Sequence, residues 1–390
     1  MTSPTPSTRG RLESIDLLRG LIMVIMALDH TRDYFGNPGQ NPTDLATASA
    51  ALFLTRWVTF FCAPVFFLLT GTGAFLSLSR KSPRELSRFL FTRGLWLIFL
   101  DVVVLRCLAY QFNFDYRVTM LLVLWALGWA MMTLSLLVRL PAWVAATFGA
   151  ALVLGHNLLD GVQSTNPLWA MLHAPGFVLD TPRHVVFAAY PLVPWIGVTA
   201  LGYSLGRIYR WPADRRRTFL LRLGLSLSLA FVVIRATNVY GDPVAWTTQR
   251  TALFTALSFL DTNKYPPSLL FLLMTLGPAL LCLWAVDGRT PRVLRPALVI
   301  GKVPLFYYMV HFFLIHLVAV AVCRVRYGSA RWMFESPDLA HYPFSPPPGW
   351  GFSLPLVYLA WVGVVVAMYP LCRWFAALKQ RRSDAWLSYL

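Results

Sequence analysis

Residues 16–33 read DLLRGLIMVIMALDHTRD. The apolar centre predicts a helix that crosses a membrane, which takes about 20 residues. Yet the same stretch carries Asp16, Arg19, Asp29, His30 and Asp33. Positions 16, 19, 23, 26, 30 and 33 alternate steps of three and four. Asp16, Arg19, Met23, Met26, His30 and Asp33 therefore form one helical stripe, with Asp29 on the adjacent face. Ionisable groups inside a bilayer are costly unless paired, so this stripe must face protein or water, and functional use is the default expectation. At 1.5 Å per residue, Arg19 and His30 lie about 16 Å apart along the axis, Arg19 near one boundary and His30 in the opposite third. A carboxylate beside an imidazole orients it and stabilises its charged form, as a general base requires. His30 is the expected base and Asp29 or Asp33 its orienter. Asp16 and Arg19 fit equally a structural pair that snorkels to the interface.

The rest of the chain has the same character. Its 390 residues are 57% hydrophobic and 13% charged, with a mean hydropathy of +0.57, which predicts a polytopic membrane protein. About ten stretches are long and apolar enough to span: 14–35, 51–79, 89–111, 118–139, 141–159, 184–210, 217–239, 266–287, 297–324 and 351–377. The expected fold is an all-α polytopic bundle of about ten transmembrane helices. It forms one domain over 14–380, between a disordered cytoplasmic lead (1–13) without a signal-peptide pattern and a cytoplasmic tail (381–390). The net charge of +17 could suggest nucleic acid. However, most of the 34 lysines and arginines fall in alternate inter-helix segments. That fits the positive-inside rule with both termini cytoplasmic. No nucleic-acid partner is expected. The five cysteines lie in or beside predicted helices and read as small buried residues.

Other segments bear on a site. In GKVPLFYYMVHFFLIHLVAV (301–320), His311 lies about 13 Å beyond Lys302 and His316 about 21 Å beyond it. Five residues apart, they point about 140° away from each other, so no metal site is expected. Each also reads as a satisfied core histidine. Tyr307 precedes His311 by one turn. Arg106 and Gln111, Arg235 and Asn238, and Lys264 in NKYPPSLL add polar groups at the His30 level, and Asp101 must pair or line a cavity. Together they predict a polar cavity floored by His30, His311 and His316. Gly71 and Gly73 in LLTGTGAF serve either close helix packing or room for a slender ligand. The segment TQRTALFTALSFL reads as a short interfacial helix, and YPFSPPPGW as extended chain. There is no G-x-S-x-G, Walker loop or H-E-x-x-H. A histidine in a membrane beside cytoplasmic arginines fits an anionic acyl carrier held by Arg19, Arg80, Arg84 and Arg88. Its arm would thread toward His30, and an acceptor would meet Tyr307, His311, His316, Arg106 and Lys264. The alternative is a transporter or flippase for a polar or lipid-linked solute, with the histidines relaying protons.

SIDLLRGLIMVIMALDH, APVFFLLTGTGAFLSLSR, NKYPPSLLFLLMTLGP and GKVPLFYYMVHFFLIH, in this order, resemble the heparan-alpha-glucosaminide N-acetyltransferase-like catalytic-domain family of the transmembrane acyltransferase superfamily. The resemblance spans about residues 10–380 and is to the bacterial branch, which implies a place in a bacterial cytoplasmic (inner) membrane. It implies a ten- or eleven-helix bundle that moves an acyl group from cytoplasmic acyl-CoA, acetyl-CoA in the first place, to an acceptor on the other side, often a sugar or envelope glycan. His30, ten residues after Arg-Gly, falls where a related branch carries its catalytic histidine. The expected partners are membrane lipids, the small-molecule or glycan acceptor, and, as an assembly the sequence permits, a second copy in a homodimer.

Overall fold

A computed structural model describes residues 6–382 and positions 384, 387 and 389. The chain is predominantly helical. Helix α1 runs Pro6–Phe35, so residues 6–13 continue the helix instead of forming a separate lead; residues 1–5 lie outside those described. The 51–79 stretch divides into α2 (Ala50–Thr59) and α3 (Cys62–Ser77). Pro64 in the first turn of α3 has no N–H to give the Phe60 carbonyl, which opens the helix there. Helix α4 (Pro83–Phe99) starts at a Ser82/Glu85 capping box and widens into a π-helix over Leu100–Tyr110. Then come α5 (Val123–Leu137), α6 (Ala142–Gly155), the short α7 (Pro167–Leu172), α8 (Leu192–Leu205), α9 (Ala213–Thr237) and α10 (Ala252–Leu260). The last four are α11 (Leu269–Val286), α12 (Arg295–Gly301), α13 (Pro304–Tyr327) and α14 (Leu354–Arg381). The 297–324 stretch breaks at Lys302–Val303 because Pro304 occupies the first turn of α13.

Among the described residues, six helical segments are long and apolar enough to cross a membrane: Ala50–Ser77, Ala142–Leu159, Ala213–Thr237, Leu269–Val286, Pro304–Tyr327 and Leu354–Arg381. The other four predicted spans each contain a helix, but α1 carries the ionisable stripe, α4 has 17 residues before it passes into the π-helix with Asp101 and Arg106, and α5 and α8 have only 15 and 14 residues. The all-α expectation needs one correction. Strands β1 (Val118–Leu121), β2 (Gly176–Asp180) and β3 (Val185–Ala188) form a sheet of order β1-β3-β2, with β1 parallel and β2 antiparallel to β3. The Val-Thr and Val-Val starts of β1 and β3 favour the pleated surface, which shortens the predicted spans 118–139 and 184–210 at their first residues.

Backbones meet closely where glycines allow it. Gly71 of α3 lies against the Thr199–Tyr203 backbone of α8, and Gly301 of α12 lies against the Asp16 carbonyl of α1. The second contact brings the Gly301 carbonyl to 3.3 Å from Arg19 Nη1. The cysteines are free, and four of the five are buried. The segment 331–350 makes only short 3-10 turns and docks on the end of α1, where Trp350 Nε1 donates to the Tyr34 carbonyl at 2.9 Å.

Candidate active site

The centre of the site is a histidine pair. His30 of α1 and His311 of α13 approach to 2.7 Å between Nδ1 and Nε2. His311 Nδ1 lies 2.9 Å from the Tyr307 carbonyl one turn back. A carbonyl oxygen can only accept, so His311 Nδ1 carries a proton, and the neutral ring has its lone pair on Nε2. His30 Nδ1 must then donate to that lone pair, which leaves the His30 lone pair on Nε2. Nε2 has no hydrogen-bond partner among the described residues. Phe312 stacks on His30 with ring centres 3.9 Å apart and a tilt of 29°, fixing the ring plane. His311 is fully buried.

The neighbouring carboxylates do other work. Arg56 of α2 donates to both oxygens of Asp29 at 2.6 Å. Arg32 Nη2 joins Asp29 at 2.8 Å and Asp33 at 2.7 Å. The hydrogen-bond partner of His30 is therefore His311, and neither Asp29 nor Asp33, the orienters expected from the sequence, is hydrogen-bonded to it. One residue is a turn of about 100°, which carries Asp29 away from the imidazole toward α2.

Two cavities meet at His30, while His311 lies behind it and lines neither. The narrower, about 330 Å³, has Arg19, Arg93 and Lys379 in its lining at one end and His30, Tyr308 and Lys264 at the other. Its wall between is mostly apolar, with Phe66, Leu69, Leu97, Leu127 and Met131. The wider, about 740 Å³, is lined by Tyr110, Tyr190, Tyr265, Tyr308, Tyr342 and Trp350, together with Asp33, Asn37 and Gln40. Asp29, His30, Val123, Tyr190, Lys264 and Tyr308 line both. Beside the wide cavity, burial and then the Asp242 carboxylate push the Asp261 carboxyl in the 240–265 loop up to about 6.

The structure thus brings together His30, His311, Asp29, Asp33, Lys264 and Arg19 of the residues read from the sequence. It sets others apart. Arg80, Arg84 and Arg88 are exposed and line neither cavity. Arg93 and Lys379, which the sequence reading missed, line the narrow cavity with Arg19 instead; no local pattern marks them, since each lies among other basic residues of its helix, Arg84 and Arg88 in α4 and Arg373 and Arg381 in α14. His316 is buried with its ring nitrogens 2.9 and 2.7 Å from the Ala109 and Met333 carbonyls, and so staples the π-helix to the 331–334 turn. Arg106 is buried and spends its guanidinium on Asn113, Asp115 and the Val118 carbonyl. Tyr307 contributes its carbonyl, not its hydroxyl, which is buried without a partner among the described residues. Asp101 accepts from Leu122 and Trp125 N–H groups and caps α5.

Fold and site together define a helical membrane protein in which His30, backed by His311, stands at the junction of two cavities. Residues 11–241 match the family model described as heparan-alpha-glucosaminide N-acetyltransferase, catalytic, and the chain belongs to this family. Membership makes it an integral membrane protein of an acyltransferase family. The matched segment carries His30, Arg19 and Arg93; His311, Lys264 and Lys379 lie beyond it. No curated protein matches the chain.

Proposed function

We propose that the protein transfers an acyl group from acyl-CoA, in the first place acetyl-CoA, to an acceptor held on the other side of the membrane, with His30 as general base. The observation that carries this reading is that His30 lines both cavities, so two molecules entering from opposite ends would meet at its ring. The narrow cavity fits the donor. Arg19, Arg93 and Lys379 suit phosphate oxygens at its mouth, and the apolar wall suits a pantetheine arm. Arg19 to His30 is about 16 Å along α1, a length an extended arm reaches. The wide cavity suits a polyhydroxylated acceptor: tyrosine and tryptophan faces pack on sugar rings, while Asp33, Asn37 and Gln40 offer hydrogen bonds. His30 Nε2 would take the acceptor's proton as the acceptor attacks the thioester carbonyl. In this reading ten segments cross the membrane, both termini are cytoplasmic, the narrow cavity opens to the cytoplasm, and the exposed apolar side chains of α14 face lipid.

The test is coenzyme A binding and thiol release from acetyl-CoA by purified protein, wild type beside His30→Ala of equal thermal stability. Saturable binding with His30-dependent thiol release is the expected result. Failure to bind any of several acyl-CoA esters would sink the enzyme and favour a solute path through the two cavities.

A further inference from the structure

We propose that Lys264 is a catalytic residue whose ammonium stabilises the oxyanion formed on the thioester carbonyl. This rests on the acyl-transfer reading above. Of the six residues that line both cavities, Lys264 is the only cation. Its backbone is pinned between α10 and α11. Lys264 bridges to Pro267, the Asn263 N–H donates to Asp242 at 2.9 Å, and the Ser268 N–H donates to the Asn263 carbonyl at 2.9 Å. The side chain is only 8% exposed and passes the Tyr265 and Phe60 rings at 5.1 and 5.8 Å.

Its charge is not held in a salt bridge. The buried arginines Arg106, Arg216 and Arg235, and Arg56 beside the site, each face a carboxylate: Asp115, Asp287, Asp242 and Asp29. Lys264 forms no ion pair among the described residues. The nearby Asp29 already has two guanidiniums. A buried cation left unpaired is costly, and such a cost is tolerated where negative charge arrives during function. Acyl transfer supplies that charge at this place. As the acceptor oxygen or nitrogen bonds to the thioester carbon, its proton moves to His30 Nε2 and the carbonyl π electrons move onto oxygen, facing Lys264. The oxyanion then re-forms the carbonyl and the C–S bond breaks. The departing sulfur takes the proton from His30 and leaves as the free thiol of coenzyme A. A fixed cation in a site shielded from water stabilises that oxyanion with little reorganisation.

Full-length protein in lipid nanodiscs would be titrated with acetyl-CoA carrying carbon-13 at the carbonyl, and the carbonyl band read by difference infrared spectroscopy. In wild type and in His30→Ala the bound band should move to lower frequency, because the ammonium polarises the C=O. In Lys264→Met it should return to the free position with coenzyme A affinity unchanged, and Lys264→Arg should restore part of the shift. Thiol release should fall about 10²–10³-fold in Lys264→Met. Lys264→Gln provides the same comparison should the methionine variant unfold. A bound carbonyl that is unshifted in wild type, or shifted equally in both neutral variants, overturns the assignment while leaving acyl transfer standing. Absence of acetyl-CoA binding by wild type overturns the acyl-transfer reading and this assignment with it.

Discussion

At the scale of single residues, the arrangement that matters is a chain of acceptors ending on a backbone carbonyl. Tyr307 O fixes the His311 tautomer, and His311 fixes that of His30. Replacing His311 by leucine should leave the fold standing but free the His30 ring to expose either nitrogen. Thiol release should then fall by about 10²-fold, within the 10²–10⁴ that a positioned base supplies. Glutamine at 311 can still accept from His30 Nδ1 through its side-chain oxygen and should keep more activity than leucine. Equal rates for the two variants would show that the tautomer lock is irrelevant. His30 itself was legible in the sequence, because ionisable groups repeated along one face of an apolar helix must meet a partner or water inside the protein. Its partner was not. The nearest carboxylate in sequence points elsewhere, and the residue that touches His30 lies 281 positions away. His316 shows the same limit: helical rise gives its height in the bundle, but only packing decides which way it faces.

Among the elements, α3 poses the clearest test, because its two glycines perform the two tasks the sequence left open. A methyl group on Gly71 would lie 2.6 Å from the Tyr203 nitrogen of α8, a backbone atom that cannot swing aside. Gly71→Ala should therefore cost about 1–3 kcal/mol and lower the melting temperature. Gly73 has open space toward Arg19 Nη2 at 4.0 Å and lines the narrow cavity. Gly73→Leu should melt near wild type yet bind coenzyme A more weakly, because the side chain fills the space proposed for the donor arm. Calorimetric binding and thermal melts on both variants separate the tasks; a Gly73→Leu protein with full donor affinity would place the donor elsewhere. Helix existence was legible along the whole chain from hydropathy. The breaks at Pro64 and Pro304 were not, since 51–79 and 297–324 read as unbroken spans and proline alone does not mark a break: Pro278 and Pro370 lie inside continuous helices. The sheet was missed because a short buried strand and the start of an apolar helix share one composition.

For the molecule as a whole, the question is where its positive charge is used. Most of the 34 basic side chains fall in alternate inter-helix segments, the pattern expected of loops on one side of a membrane. Of the four that line the narrow cavity, Lys264 stands at the His30 end, and the other three come from distant parts of the chain: Arg19 from α1, Arg93 from α4 and Lys379 from the end of α14. No local motif announces such a cluster, which is why the sequence pointed to the dense basic run at 80–88 instead. Those arginines are exposed on the surface, where water and salt screen them. The two sets therefore make opposite predictions for a donor that carries phosphates. A charge-assisted hydrogen bond in a part-buried site contributes about 1.5–3 kcal/mol. Arg93→Gln should thus weaken coenzyme A binding about tenfold to a hundredfold, and Lys379→Gln should act in the same direction. Arg84→Gln should leave the affinity near wild type. Dephospho-coenzyme A, which lacks one phosphate, should lose less on Arg93→Gln than coenzyme A if Arg93 meets that group, and as much if it meets the pyrophosphate. Titration calorimetry at two salt concentrations would read all of these. A loss confined to Arg84→Gln would move the donor entrance from the narrow cavity to the loop between α3 and α4.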